Sequence, residues 1–170
     1  MSTRPSLPFD PIAEAARNWR NAGWGAEADG MAFVTSVVRV HQILVARIDE
    51  CLAPFGLTFS RFEVLMLLSF SRTGKLPLGK IGERLQVHAA SVTNAIDRLE
   101  ASGFVRRMPH PSDGRATLAA ITPQGRRTAQ KAVAVLNAEV FEDPGLPAGE
   151  LRGVVAALTT LRAAAGDFSA

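Results

Sequence analysis

Four cationic side chains, Arg106, Arg107, His110 and Arg115, fall within a ten-residue stretch. Pro109, Pro111 and Gly114 share it and favour a stiff, exposed turn. An arginine on such a tip suits a narrow DNA minor groove, whose negative potential attracts it. Asp113 would oppose phosphate contact, so its better role is to orient an arginine by a charge-assisted hydrogen bond. The alternative is a solvated surface pair worth little. Upstream, Val92, Ile96 and Leu99 recur at helical spacing and leave Ala89, Ala90, Ser91, Thr93, Asn94 and Arg98 facing outward. On a helix lying in a major groove, the Ala90 or Thr93 methyl could meet a thymine methyl and Asn94 an adenine edge. Arg98, one turn on, could reach a phosphate or a guanine. The same spacing also fits an ordinary amphipathic helix with a small, polar outer face.

The rest of the composition narrows the classes. The chain has 170 residues, 47% hydrophobic and 21% charged, enough for one domain with a real core. Between Arg72 and Lys131 it holds eleven Lys/Arg and four acids, whereas the remainder holds eight bases and twelve acids. A basic middle between mildly acidic ends suggests one segment that meets a polyanion. Consecutive apolar stretches such as Val64–Leu68 and Ala132–Leu136 are far short of the ~20 residues of a membrane span. The N-terminus has prolines at 5 and 8 and no apolar signal region. The single cysteine, Cys51, makes no internal disulfide, so a reducing cytoplasm is the expected location.

Certain elements must position those side chains. Asp10-Pro11 is a cap-plus-proline helix start, and a short helix to about Arg20 follows. Asn21–Gly30 reads as a loop. Its Gly23-x-Gly25-x-x-Ala28 spacing follows no strand and carries no dinucleotide-binding meaning. Met31–Leu52 is helical, with Val34, Val37, Leu44, Ile48 and Leu52 on its apolar face. Pro54 and Gly56 end it. A further helix carries Phe62, Leu65 and Met66, and Ser71–Lys75 reads as a loop. From Pro77, Leu78, Ile81 and Leu85 define a short helix; Gln86-Val87-His88 is a tight connection into the helix of Val92 and Ile96. Phe104–Met108 and Ala116–Ile121 read as a β-hairpin across Pro109–Gly114. Thr122-Pro123 starts another helix, Glu142–Gly149 is a loop, and a last helix carries Leu151, Val154, Val155, Leu158 and Leu161. The expected fold is mostly α, a winged helix-turn-helix with a β-hairpin wing. In ranges, residues 1–30 are an extension with a short helix and 31–56 a scaffold helix. Residues 57–121 are the winged helix-turn-helix, and 122–170 the C-terminal helices.

Over Pro77–Gly125 the chain resembles the MarR family of transcriptional regulators. The matching pieces are Leu78-x-x-Ile81-Gly82-x-x-Leu85, Ser91-Val92-Thr93-x-x-Ile96-Asp97-Arg98-Leu99-Glu100 and Gly103-Phe104-Val105-Arg106-Arg107. Asp113-Gly114-Arg115 and Ile121-Thr122-x-x-Gly125 complete the series. The resemblance implies a homodimer joined through N- and C-terminal dimerisation helices, displaying two winged helices to a palindromic double-stranded DNA operator. It places Ser91, Thr93, Asn94 and Arg98 on the recognition helix, Arg115 in the minor groove and Asp113 as its orienting acid. Many relatives carry a basic residue at Asn94 and a second arginine at Ala116, so base preference does not transfer. The apolar faces of the first scaffold helix and the last two helices exceed what a domain of this size buries alone, and an intersubunit bundle would use them.

Relatives commonly bind small aromatic anions. Trp19, Trp24, Arg39, His41, Phe62 and Met66 are the candidate lining, although Phe62 and Met66 also suit an ordinary core. Cys51 invites a redox reading, but Asp49 and Glu50 beside it would hold its thiolate back and the chain has no tyrosine. His41, His88 and His110 have no metal-ligand spacing and no triad partners, and no phosphate loop or nucleophile elbow appears. The expected protein is therefore a non-enzymatic repressor without cofactor or membrane partner, relieved by a small ligand. An effector-independent DNA-binding dimer, or a thiol-responsive one acting through Cys51, is the alternative.

Overall fold

The computed structural model describes residues 6–112 and 116–168. The chain divides into two compact units, residues 1–59 and 60–170.

In the first unit, helix α1 spans Pro11–Asn21 and α2 spans Ala28–Leu52, followed by a short 3-10 turn at Ala53–Phe55. The start of α1 follows the local chemistry: the Asp10 carboxylate accepts the Ile12 backbone N–H at 2.9 Å, and Pro11 occupies the first turn, where its missing N–H is not needed. Helix α2 begins at Ala28, inside the segment expected to be loop. Trp19 and Trp24 meet edge to face, ring centres 5.2 Å apart, and Arg20 pairs with Asp29 at 2.6 Å. These contacts fold α1 back on α2, and Ala16 and Ala28 are buried.

Helix α2 corrects the expectation about apolar length. With its trailing 3-10 turn it is long and apolar enough to cross a membrane by length and composition, at a mean hydropathy of 1.4. Counting consecutive apolar residues missed this because Thr35, Ser36, Arg39, His41 and Gln42 interrupt the run without dominating it. Phe33, Val34, Val37, Val38, Val40 and Ile43 are all exposed.

The second unit carries the rest of α3 (Phe59–Phe70), then strand β1 (Lys75–Pro77), α4 (Leu78–Leu85) and α5 (Ala89–Ala101). Strands β2 (Val105–Pro109) and β3 (Thr117–Ile121) follow, then α6 (Pro123–Leu136) and α7 (Ala148–Ala164). The sheet is antiparallel, in the order β1-β3-β2. Strand β1 replaces the expected loop: Lys75, Leu76 and Pro77 lie opposite Ala120, Ala119 and Leu118. Three residues ending in proline give no alternation to read, and an edge position tolerates proline's missing N–H. Across the hairpin Arg106 lies opposite Ala120 and Arg107 opposite Ala119, and the His110 N–H reaches the Ala116 carbonyl at 3.2 Å.

The core of this unit is aliphatic. Leu65, Leu68, Ile81, Val92, Ile96, Leu99, Val105 and Leu136 are almost wholly buried, and each side chain of this kind contributes about 1.5–3 kcal/mol on leaving water. Helix α6 runs on through a single π-helical turn, Asn137–Phe141, in which the Glu142 N–H reaches back to the Asn137 carbonyl at 2.9 Å. That turn keeps Val140 buried four residues beyond Leu136. Helix α7 buries no residue, and Val154, Val155, Leu158 and Leu161 lie exposed along it.

Candidate nucleic-acid interface

The site is built by α4, α5 and the sheet. Helix α4 ends in the left-handed turn at Gln86, and the Val87 N–H returns to the Gly82 carbonyl at 3.1 Å. A Cβ on Gly82 would lie 3.2 Å from the Val87 carbonyl and 3.4 Å from Val92 Cγ2, so the small residue lets the turn close against α5. Val92, Ile96 and Leu99 then pin α5 to the core, leaving Ala89, Ala90, Ser91, Thr93, Asn94 and Arg98 exposed together on its outer side. The Thr93 hydroxyl donates to the Ala89 carbonyl at 3.0 Å. Its hydrogen is thereby engaged within the helix.

Behind α5 the hairpin is fixed by a closing cluster. Thr122 caps α6 by accepting the Gly125 N–H at 3.0 Å, and its own N–H donates to the Phe104 carbonyl at 2.9 Å. Gly125 sits so close to that backbone that a Cβ would lie 2.1 Å from the Phe104 carbonyl oxygen. Only glycine fits there without displacing the chain.

The cations of the hairpin divide. Arg106 is exposed on β2. Arg107, grouped with it by sequence, is half-buried and engaged: its Nη1 lies 2.6 Å from Asp97 Oδ1 and 2.8 Å from Glu100 Oε2. The Arg107 backbone N–H also donates to Glu100 Oε1 at 2.7 Å. These bonds, the backbone one first, hold the Glu100 carboxyl below its usual value of 4.5. The acid partners of Arg107 were not singled out from sequence; the signal available was Asp97 and Glu100 three apart on one helix, just before the strand. His110 is half-buried, and its Nδ1 accepts the Ser112 N–H at 3.3 Å. Asp113 and Arg115 lie outside the described residues.

Of the six ligand-pocket candidates, Trp19, Trp24, Arg39 and His41 lie in the first unit and Phe62 and Met66 in the second. A cavity of about 840 Å³ in the first unit is lined by Leu7, Phe9, Ile12, Val34, Val38 and Arg39 among others. Only Arg39 of the six lines it. Trp19 and Trp24 meet edge to face with each other, and His41 is exposed on α2. Phe62 is buried in α3, with Met66 half-buried one turn on. Arg39 Nη1 donates to Gln42 Oε1 at 3.3 Å, and Ser6, Asp10 and Thr35 also line the cavity, so a cation and a carboxylate share a mainly apolar surface. Cys51 is a free, half-buried thiol.

Comparison with known proteins agrees with this architecture. Residues 57–117 match the MarR family model. The crystal structure of Sco5413, a MarR family transcriptional regulator from Streptomyces coelicolor, is 47% identical and superposes with a TM-score of 0.76, covering 84% of this chain and 99% of that one. The transcriptional repressor Mb2911 of Mycobacterium bovis is 31% identical over 100 residues, which span 59% of this chain and 70% of the relative. The structure of reduced AbfR bound to DNA is 25% identical, with a TM-score of 0.64 over 76% of this chain and 88% of that one. The helix-turn-helix, its three-stranded wing and these likenesses lead to one conclusion: the chain belongs to the MarR family of DNA-binding transcriptional regulators.

Proposed function

We propose that the protein is a homodimeric repressor that occupies a palindromic operator and leaves it when a small aromatic acid binds. The observation that carries the DNA reading is the outer face of α5, where six small, polar or cationic residues lie exposed together beside the wing. Ala89, Ala90 and Ser91 permit close approach to the groove floor. With its hydroxyl engaged by Ala89, Thr93 has a methyl to offer a thymine, Asn94 suits an adenine edge, and Arg98 suits a phosphate or a guanine. Arg106 and His110 serve phosphates beside the groove, Arg115 enters the minor groove and Asp113 orients it. Arg107 has a different part: it holds the wing on the recognition helix.

The dimer reading rests on the apolar faces that α2 and α7 expose. A bundle between two copies removes them from water. A membrane would also do so, but Arg39 lies near the middle of α2 and an arginine there costs ~2.5–3.5 kcal/mol to insert. A cytoplasmic dimer is therefore the favoured state, and two half-sites about one helical turn apart combine both heads. The repressor sign is supported by the Mycobacterium bovis relative's name, and the DNA contact by the AbfR complex. The effector reading rests on the cavity beside α2, which is in the size range of small-molecule sites and offers Arg39 to a carboxylate, while the Asp10 carboxylate in the same lining is engaged by the Ile12 N–H.

The test is binding of the purified protein to labelled DNA from upstream of its own gene, against a scrambled duplex, at two salt concentrations. Sequence-preferring, salt-sensitive binding supports the reading and provides the assay for aromatic acids. Equal, weak binding to both duplexes, repeated after selection from random sequence, would reject it. A screen of aromatic acids without effect on affinity would leave an effector-independent dimer.

A further inference from the structure

Gln86 stands out in the helix-turn-helix. Its φ of 53° makes it the one non-glycine residue with a positive φ among the described residues. Glycine adopts that conformation freely, whereas a residue with a Cβ resists it. Here the Gln86 Nε2 amide donates to the main-chain carbonyl of Asp167, 81 residues away, at 2.6 Å.

The acceptor is held in place by a braced hook at the end of α7. Gly166 turns the chain with a φ of 74°, and its N–H returns to Ala163 while that of Asp167 returns to Arg162, each at 3.0 Å. The Asp167 carboxylate takes the Arg162 Nε at 2.6 Å, and the Arg162 guanidinium lies over the Phe168 ring, 5.3 Å from its centre. The backbone bonds hold the turn that carries this carbonyl, and the ion pair and cation–π contact brace the side chains on either side of it. The helix that carries this hook buries none of its own residues. Its last residues nonetheless reach the turn that sets the angle between α4 and α5.

We infer that Gln86 is a positioning residue and that the hook Gly166–Phe168 is a latch, which ties the attitude of the recognition helix to the position of α7. The inference rests on α5 being the recognition helix. Whatever moves α7, such as pairing of its apolar face with a second copy, is then felt at the turn through one hydrogen bond. A latch of this kind makes the DNA-reading head responsive to the state of the C-terminal helix without any ligand touching α5.

The full-length protein, its Gln86→Gly variant, a chain ending at Gly166 and the combination of both changes provide the test. Gln86→Gly keeps the left-handed turn and deletes only the donor; the shortened chain deletes the acceptor. Amide hydrogen exchange at Val87, Ser91 and Val92, whose N–H groups bond to Gly82 and His88, is read without DNA. Affinity for the operator is read separately. The latch predicts an unchanged or raised thermal midpoint for Gln86→Gly, together with faster exchange at those amides. It also predicts affinity weakened by roughly 2–10-fold, the worth of one hydrogen bond. The shortened chain should match it, and the double change should lose no more than either alone. Unchanged exchange in both single variants, or losses that multiply in the double, would overturn the latch. Altered exchange in a protein that reads no DNA sequence would instead count against the recognition assignment and leave the latch standing. Gln86→Glu, which sets a carboxylate against the Asp167 carbonyl, should be worse than Gln86→Gly; a better result would also overturn it.

Discussion

Glu100 holds Arg107 at two points: one carboxylate oxygen accepts the Arg107 backbone N–H at 2.7 Å and the other accepts its guanidinium at 2.8 Å. A strand residue is thereby bound, main chain and side chain, to the last turns of α5. Asp97 completes the clamp.

The clamp separates two neighbouring arginines by a salt titration. Arg106→Ala should lower the slope of log affinity against log salt by ~0.9 for each phosphate that is no longer neutralised. Arg107→Ala should weaken binding through a loosened wing and leave that slope near the wild-type value. Equal falls in slope for both variants would return Arg107 to the phosphate-binding set.

Acid should open the clamp. The Glu100 carboxyl is below 4.5 in the folded chain and near 4.5 in the unfolded one, so the unfolded state binds the proton more readily in between. This contribution to stability is therefore complete above about pH 4.5 and is lost as pH falls through the lowered value. Glu63 acts in the opposite sense: burial raises its carboxyl above the usual value, so its contribution weakens as pH rises through about 4.5 and beyond. Thermal midpoints measured from pH 3 to 6 should show a shallower acid slope for Glu100→Gln than for wild type, and Glu63→Gln should steepen it.

Gly125→Ala should be among the costliest single-methyl changes in the chain. The added carbon meets the Phe104 carbonyl at 2.1 Å, and relieving such a contact costs about 1–3 kcal/mol. The midpoint should fall by ~2–4 °C for each kcal/mol. Gly149→Ala, where a Cβ meets nothing within 4 Å, is the matched control and should move it little.

Asn94→Ala tests base reading directly. A bidentate contact to adenine is worth ~1–3 kcal/mol; its loss should flatten preference at one position of each half-site in a selection experiment. An unchanged preference would remove Asn94 from the reading face.

Paired substitutions Val155→Glu and Leu158→Glu test the proposed dimer and should give a monomer in sedimentation where the unaltered chain gives a dimer. With one head per particle, operator affinity should fall by at least about tenfold. Retention of a dimer would place the interface elsewhere.

Much of this was legible in the chain because it is local. Asp10-Pro11 and Thr122-Pro123 announce their helices through their own side chains, and the period of Val92, Ile96 and Leu99 fixes the outer face of α5 without reference to anything distant. What escaped the sequence is relational. Strand β1 exists only because β3 is beside it, and Arg107 is recognised as engaged only once Asp97 and Glu100 have been brought round by the turn at Gly103. The start of α2 at Ala28 was hidden by Gly25 and Gly30, which read as loop until α1 folds back and buries Ala28. Aromatic character marks a residue that packs but not what it packs against, and Trp19 and Trp24 pack on each other.

The central place of β3 in the sheet has a mechanical consequence. Strand β1, which leads directly into α4, and strand β2, which leads out to the wing, are both bonded to the same five-residue strand. The base of the hairpin therefore shares its central strand with the segment that enters α4. A tilt of that base is passed through Leu118–Ala120 to Lys75–Pro77, and so to the first turn of α4, without crossing a loop.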